Sequence, residues 1–351
     1  MAMQSEIDSI QKNNTWSLTE LPRSSKSIGV KWIYKTKRDE NGEIIKHKTR
    51  LVAKGYSQKE GIDYIEVFSP VARMDTIRMI ISLAAHNGWK LYQLDVKSAF
   101  LQGDLNEEVY IDQPEGFVKE GKEYMVYRLH KALYGLKQAP RAWFNKIESH
   151  FVSEGFKGCD SEQTLFTKRS AEDLGHLNYF LGIEVVQKAN GVFIRQKRYA
   201  ERILKRFGMS TCNPVYCPIL PGVKVGRDKE GKLVDETYYK QIVGSQMYLT
   251  STRPDLMFAT SLISRYMSKP TDLHLQIAKK ILRYLKGTTQ FGIFYQTGCR
   301  EGDLEVYTDS DYAEDMDDRK STSGYVFKFS SGVVAWTSKK QPIVSLSTTK
   351  A

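Results

Sequence analysis

Cysteine is scarce in this chain. Its 351 residues include four, Cys159, Cys212, Cys217 and Cys299, and none sits in a Cys-x-x-Cys pair. That number and spacing exclude a disulfide framework, give no zinc or dithiol redox motif, and fit a reducing compartment. No apolar run approaches the roughly 18 residues a membrane helix needs. The opening segment, MAMQSEIDSIQKNNTW, has neither the basic nor the apolar region of a secretory leader. The expectation is therefore a cytoplasmic chain away from membranes. Internal repeats and low-complexity tracts are absent as well. With 41% hydrophobic residues the chain has material for real cores, which excludes wholesale disorder, and its length allows two or three domains.

Acid is also in short supply, with 41 Asp and Glu against 52 Lys and Arg, a net charge of +11. Such an excess favours a polyanionic partner. Its distribution says more than its sum. Residues 251–300 carry eight Lys or Arg and two acids, whereas residues 301–318 hold nine carboxylates and no Lys or Arg. That succession suits a protein that grips phosphates and presents metal ligands beside them. It suits equally a solvated helix face followed by an acidic loop.

Patterning predicts a β-hairpin over 29–58, with Asn41-Gly42 as its tight turn and heavily basic exposed positions. Asp75 is expected to cap a helix that stops at Gly88, and WKLYQLDV after it reads as a strand ending on Asp95. A helix is predicted over 139–153 with Pro140 in its first turn, where a missing N–H costs nothing. Strands over 179–187 and 191–196 form a second hairpin, and 197–207 is a basic amphipathic helix. A Pro- and Gly-rich connector spans 209–236. Helices at 237–250, 253–268 and 272–286 precede strands at 304–309, 323–329 and 332–338. Without a regular βαβ period the class is α+β.

Three segments could carry chemistry. Asp95, at a strand end before a small-residue turn, is placed to hold a hard cation such as Mg²⁺, or to act as a cap. The run LYGLKQAPRAW (133–143) sets Lys137, Gln138 and Arg141 at a helix start, which makes a phosphate contact or a structural turn. Asp309 and Asp311 alternate on a strand and could share a divalent ion, with an acidic turn as the other reading. The six histidines show no metal spacing. Trp16, Trp32, Trp89 and Trp143 read as packing aromatics, although Trp32 on the basic hairpin could stack on a base.

At this point the motifs become recognisable. KWIYKTK, HKTRLVAKGYSQKEGIDYIEVFSPVARMDTIR, LYQLDVKSAFLQGDLNEEVYIDQPEGF and LHKALYGLKQAPRAW closely resemble the reverse transcriptase of copia-type long-terminal-repeat retrotransposons. YFLGIEV, VGSQMYLTSTRPDLMFATSLISRYMSKPT and AKKILRYLKGT are similar to the thumb and connection of the same polyprotein. YTDSDYAEDMDDRKSTSGYVF resembles the start of its ribonuclease H.

The resemblance implies a right-hand polymerase with fingers and palm over 1–170, its catalytic hairpin missing after about 168, and residual palm, thumb and linker over 171–236. A helical connection over 237–300 and a partial ribonuclease H sheet over 301–351 complete it. The implied partners are RNA template, DNA primer and deoxynucleoside triphosphates, with Mg²⁺ as cofactor. Asp95 corresponds to the first catalytic aspartate of the palm, and Phe100 to the side chain that excludes a 2′-hydroxyl. Gln138 resembles the nucleotide-contacting glutamine, and Lys48 and Arg50 the fingers cations that meet phosphates. Asp309, with Asp311, resembles the first metal ligand of ribonuclease H. Lys279, Lys280, Arg283 and Lys286 are expected to meet the nucleic-acid backbone.

Departures from the family matter as much as the matches. The family supplies a second carboxylate source on a Tyr-x-Asp-Asp hairpin expected after Phe166, and no Tyr-x-Asp-Asp occurs in this sequence. Thr167 to Ser170 instead run directly into AEDLG (171–175), which leaves Glu172 and Asp173 as the nearest substitutes. The hairpin strands are gone with it, so the palm sheet is expected to be damaged. Lys350 stands where the family has a glutamate, and the segment carrying the next nuclease ligand lies beyond Ala351. Two classes of function follow. One is an active RNA-directed DNA polymerase that uses a substitute carboxylate. The other, favoured by the lost ligands, is a catalytically inactive remnant that binds nucleic acid through its basic surfaces.

Overall fold

The computed structural model describes residues 1–38, 43–168, 179–220, 222–298 and 303–350. The predicted turn at Asn41-Gly42, the substitute carboxylates Glu172 and Asp173, and Cys299 lie outside the described residues. The chain separates into two compact units, Met1–Ala72 with Asp95–Glu172, and Arg73–Leu94 with Asp173–Ala351.

In chain order, helix α1 (Ala2–Lys12) leads into strands β1 (Trp16–Thr19), β2 (Ser27–Ile28), β3 (Val30–Arg38) and β4 (Ile44–Ala53), followed by α2 (Met74–His86). Strands β5 (Asp104–Ile111) and β6 (Val126–Lys131) precede α3 (Ala139–Ser153) and the short strands β7 (Lys157–Cys159) and β8 (Glu162–Thr167). Next come β9 (Tyr179–Phe180), β10 (Ile183–Lys188) and β11 (Gly191–Arg195). Helices α4 (Lys197–Arg206), α5 (Glu236–Leu249), α6 (Met257–Ser264) and α7 (Asp272–Gly287) follow. The last strands are β12 (Gly292–Gln296), β13 (Leu304–Ser310), β14 (Thr322–Phe329) and β15 (Gly332–Lys340).

In the first unit a sheet of order β1-β6-β5-β2 is antiparallel except where β2 meets β5. Its apolar face is buried with Ile10 of α1, Leu51 at the end of β4, and Leu133 and Leu136 of the loop before α3. Trp16 stacks on Tyr127 with ring centres 4.2 Å apart, a cross-strand aromatic pair that fixes the β1–β6 register. Gly135 is needed where it stands. Its φ is +93°, and a Cβ there would lie 2.2 Å from the Ala53 carbonyl oxygen, because Tyr134 O accepts the Ala53 N–H at 2.7 Å. The β3–β4 ribbon is thereby tied to the turn that opens α3.

The second unit holds the sheets β12-β11-β10-β9 and β13-β14-β15 and a helical core. Tyr239, Ile242, Ile263, Ile281 and Leu285 of α5, α6 and α7 are completely buried in that core. Helix α2 packs with this unit and brings Arg78 to 4% exposure. Its guanidinium donates to the Val334 and Ser251 carbonyls at 2.7 and 2.8 Å, pairs with Asp75, and lies 3.9 Å over the Trp336 ring. Burial lowers the Arg78 pKa, and Asp75 opposes the shift.

Helix α3 has the predicted bounds and carries Pro140 in its first turn. Other predictions need correction. Helix α2 begins at Met74, and Asp75 pairs with Arg78 rather than capping the helix. Over 253–268 the chain makes a 3-10 turn at Pro254–Leu256 and then the shorter α6. Trp89 is 57% exposed rather than packed. The largest departure is WKLYQLDV, which forms no strand and has only an isolated bridge at Tyr92. A strand is held by the ladder of its neighbours. Here the Leu91 N–H donates instead to Gln187 Oε1 at 2.9 Å, and Gln187 Nε2 donates to Leu91 O at 3.0 Å. A side-chain amide thus stands in for one residue of ladder, and Leu94 is left 69% exposed.

Candidate nucleic-acid interface

The β3–β4 register sets Lys35 opposite Lys48, Ile33 opposite Arg50 and Lys31 opposite Val52. Lys31, Lys35, Lys46, Lys48 and Arg50 therefore share one face of the ribbon. Like charges directly opposite on a sheet destabilise it, so the ribbon presents a repulsive cationic face that an anion relieves. Arg50 is already committed, since it ion-pairs with Glu6 of α1, which is 6% exposed. Burial pushes the Glu6 carboxyl up against the opposing pull of Arg50. On the other face, the Trp32 ring lies 5.8 Å from Phe117 and its indole N–H donates to the Glu115 carbonyl at 3.0 Å. This tryptophan is held by its own unit.

A cavity of about 600 Å³ opens beside the ribbon, and Asp95, Phe100, Lys48 and Arg50 all line it. Four of the residues singled out from the sequence thus come together. Phe100 packs edge-on against Tyr134 at 4.8 Å, held by a 3-10 turn that begins after Ser98 at φ +53°. Lys46, Lys97 and Glu6 also line the cavity and were not singled out from the sequence. The alternation 46, 48, 50 along β4 was the signal for the first of them. Asp95 is exposed, and the other charged residues lining the cavity are Glu6, Lys46, Lys48, Arg50 and Lys97.

Gln138 is elsewhere. It is 3% exposed, its Oε1 accepts from Gln58 at 3.1 Å, and its Nε2 donates to the Asp63 carbonyl at 3.0 Å. Both ends of the amide pin the loop before α3 to the segment 58–63.

In the second unit β13 ends at Ser310, so Asp309 is the last strand carboxylate and Asp311 falls beyond it. Asp309 is exposed and accepts the N–H of its neighbour Ser310 at 2.9 Å. Asp311 accepts the Thr322 N–H at 3.0 Å and so closes the turn into β14. The buried acid is Asp315, which binds Arg265 Nη1 and Lys340 Nζ, each at 3.0 Å. On α7, Lys279, Lys280, Arg283 and Lys286 recur at helical spacing on one side, with Lys279 and Lys286 exposed. Arg283 spends one N–H on the Asn213 carbonyl at 2.8 Å.

The family model described as reverse transcriptase (RNA-dependent DNA polymerase) matches this chain in two stretches, residues 13–173 and 168–221. The chain belongs to that family. It is 39% identical, over its whole length, to the retrovirus-related Pol polyprotein from transposon TNT 1-94 of Nicotiana tabacum. It is also 39% identical to that from transposon RE1 of Arabidopsis thaliana. These similarities make it a copia-type sequence, and it spans 30% and 26% of those polyproteins. The alignment with the tobacco sequence runs over 396 positions, against the 351 residues of this chain. A solved structure of a foamy viral protease-reverse transcriptase in complex with double-stranded DNA superposes with a TM-score of 0.46 at 13% identity. That match covers 97% of this chain and 55% of the other.

A reverse transcriptase of this family is expected to hold divalent metal, which asks for several oxygen ligands on a rigid edge. The cavity offers Asp95 with Lys46, Lys48 and Lys97 around it, and its other acid, Glu6, is paired to Arg50. Among the described residues no group of three His, Cys, Asp or Glu comes together to hold a metal ion. The described residues do not fit a two-metal centre, and no helix among them is long and apolar enough to cross a membrane.

Proposed function

We propose that this copia-type reverse transcriptase chain binds template–primer nucleic acid without extending it. The basic β3–β4 face and the α7 stripe hold phosphates, and the cavity at Asp95 and Phe100 receives a nucleotide that it cannot activate. The observation that carries the reading is that the cavity's acids are Asp95 and a Glu6 already paired to Arg50, so Asp95 is the one carboxylate lining it without that commitment. In-line phosphoryl transfer relies on positioned metal charge almost entirely, and a single carboxylate does not position two metal ions. The two-part match to the family model, broken at 168–173 where the Tyr-x-Asp-Asp hairpin belongs, supports a missing stretch of palm. For the ribonuclease H part, Asp311 is spent on a turn and Asp315 on two cations, which argues against nuclease metal binding there.

The test is primer extension on an RNA template with Mg²⁺, with Asp95→Asn as control, next to a binding titration in salt. No extension is expected, together with binding whose logarithm falls linearly with the logarithm of salt concentration. Each phosphate contact contributes a slope of about −0.9 on duplex. Replacing Lys46 and Lys48 by Gln should make that slope shallower by roughly 2. Extension that Asp95→Asn abolishes would overturn the inactive reading, and a flat salt response would overturn the binding one.

A further inference from the structure

The second unit contains a cavity of about 730 Å³ that the polymerase reading does not use. Arg227, Lys229, Arg265, Lys269 and Lys340 line it, with Asp228 and Asp317 as its acids. Arg265 and Lys340 are ion-paired with the buried Asp315, and Lys340 also with Asp318. Arg227, Lys229 and Lys269 are exposed and make no ion pair among the described residues.

The loop carrying Arg227 and Lys229 reads as connector in the sequence, yet it is pinned along its length. The Val225 carbonyl accepts the Tyr266 hydroxyl at 2.7 Å, and the Gly226 carbonyl bonds His274 Nε2 at 2.9 Å. His274 is itself stacked on Tyr266 at 4.2 Å. The Arg227 N–H donates to Asp317 at 3.1 Å, and Asp228 accepts the Thr271 hydroxyl at 2.7 Å. Farther on, the Lys232 carbonyl accepts from Asp272 at 2.9 Å, and Val234 donates to Pro270 at 3.0 Å. Asp228 holds φ +46°, and a Cβ at Gly231 would fall 1.9 Å from its Oδ2. Backbone held this firmly in an uncommon conformation has a use for its geometry. What the geometry does here is hold the backbone that carries Arg227 and Lys229 beside a concavity that Lys269 also lines.

We infer that this cavity binds a compact, multiply charged phosphate, either free pyrophosphate or the phosphate tail of a nucleotide. Three cations that make no ion pair among the described residues and line one concavity match a small ligand with several anionic oxygens. The spaced phosphates of a polynucleotide instead follow a stripe such as that on α7. No residue of the Asp95 cavity takes part, so the inference stands whether or not that cavity is functional.

Inorganic pyrophosphate is titrated into the full chain by calorimetry, at low ionic strength and without divalent cation. The triple variant Arg227→Gln, Lys229→Gln, Lys269→Gln is measured beside a charge-matched control, Lys119→Gln, Lys122→Gln, Lys157→Gln. One equivalent should bind, weakened at least tenfold by the first triple and changed less than twofold by the control. A deoxynucleoside triphosphate titrated in parallel separates the two sources. Equal or tighter binding than pyrophosphate, with the same sensitivity to the triple, assigns the nucleotide tail, and weaker binding assigns the free anion. The inference is overturned by the absence of saturable binding or by equal weakening in both triples. Displacement of pyrophosphate by a stoichiometric single-stranded oligonucleotide lacking a 5′-phosphate overturns it as well.

Discussion

Asp315→Asn separates an ion-paired acid from a metal ligand. The Asp315 side chain is 1% exposed. Its Oδ2 takes Arg265 and Lys340, and its Oδ1 accepts the Asp317 and Asp318 N–H groups at 3.0 and 3.2 Å. Burial alone would raise this carboxyl. The Lys340 bond and the two backbone donors outweigh it and hold the pKa at about 2, against an ordinary 3.8. A folded-state value below the unfolded one means stability that is present above about pH 4 and lost as pH falls through 2. The gap corresponds to about 2 kcal/mol, of which about half is gone by pH 3. Asn preserves the size but leaves the half-buried Arg265 without its counter-charge, while Lys340 keeps only Asp318 at 3.0 Å, so the loss at pH 7 should reach about 3 kcal/mol. Urea unfolding of the full chain, with and without the substitution, is followed by circular dichroism at pH 7, 5, 4 and 3. The difference in stability should hold steady from pH 7 to 5 and then narrow by about 1 kcal/mol towards pH 3. A difference that ignores pH, or one near zero at pH 7, would refute the ion-pair account and leave Asp315 available as a ligand.

Arg78→Met should cost about 3 kcal/mol in the urea unfolding of the second unit, because it strands the Val334 and Ser251 carbonyls and removes the stack on Trp336. A loss below about 1 kcal/mol would mean that those carbonyls find other donors. Gly135→Ala meets the Ala53 carbonyl at 2.2 Å and the Val52 side chain at 2.6 Å with φ at +93°, so it should destabilise the first unit by more than about 2 kcal/mol. Unchanged unfolding of that variant would show that the turn shifts freely. Leu94→Lys, at a position 69% exposed, should leave stability within about 0.5 kcal/mol while reducing dye binding to apolar surface. A large stability loss there would place Leu94 in a core.

Most of the fold was legible wherever local chemistry decides it. Pro140 with a run of apolar residues at helical spacing defines α3, and alternating Val, Ile and Phe define β10 and β11. The basic face of β4 could be read from 46, 48 and 50 because strand period alone determines which side chains share a face. What could not be read is what depends on a distant partner. WKLYQLDV has the β-branched and aromatic content of a strand, but a strand needs a neighbour on its ladder, and here the Gln187 side-chain amide takes that place at Leu91. Gln138 sits in a family motif at a helix start, yet Gln58 and Asp63, some 75 to 80 residues away, occupy its amide. Asp315 reads as one more acid in an acidic run, and only the folded positions of Arg265 and Lys340 turn it into a buried counter-ion. In each case the residue type is legible in the sequence and the role is not, because the role is assigned by a group that the sequence sets far away. The same dependence governs Asp95. A carboxylate is a metal ligand by virtue of the other carboxylates aimed at the same point, and among the described residues no second and third ligand group gathers with Asp95.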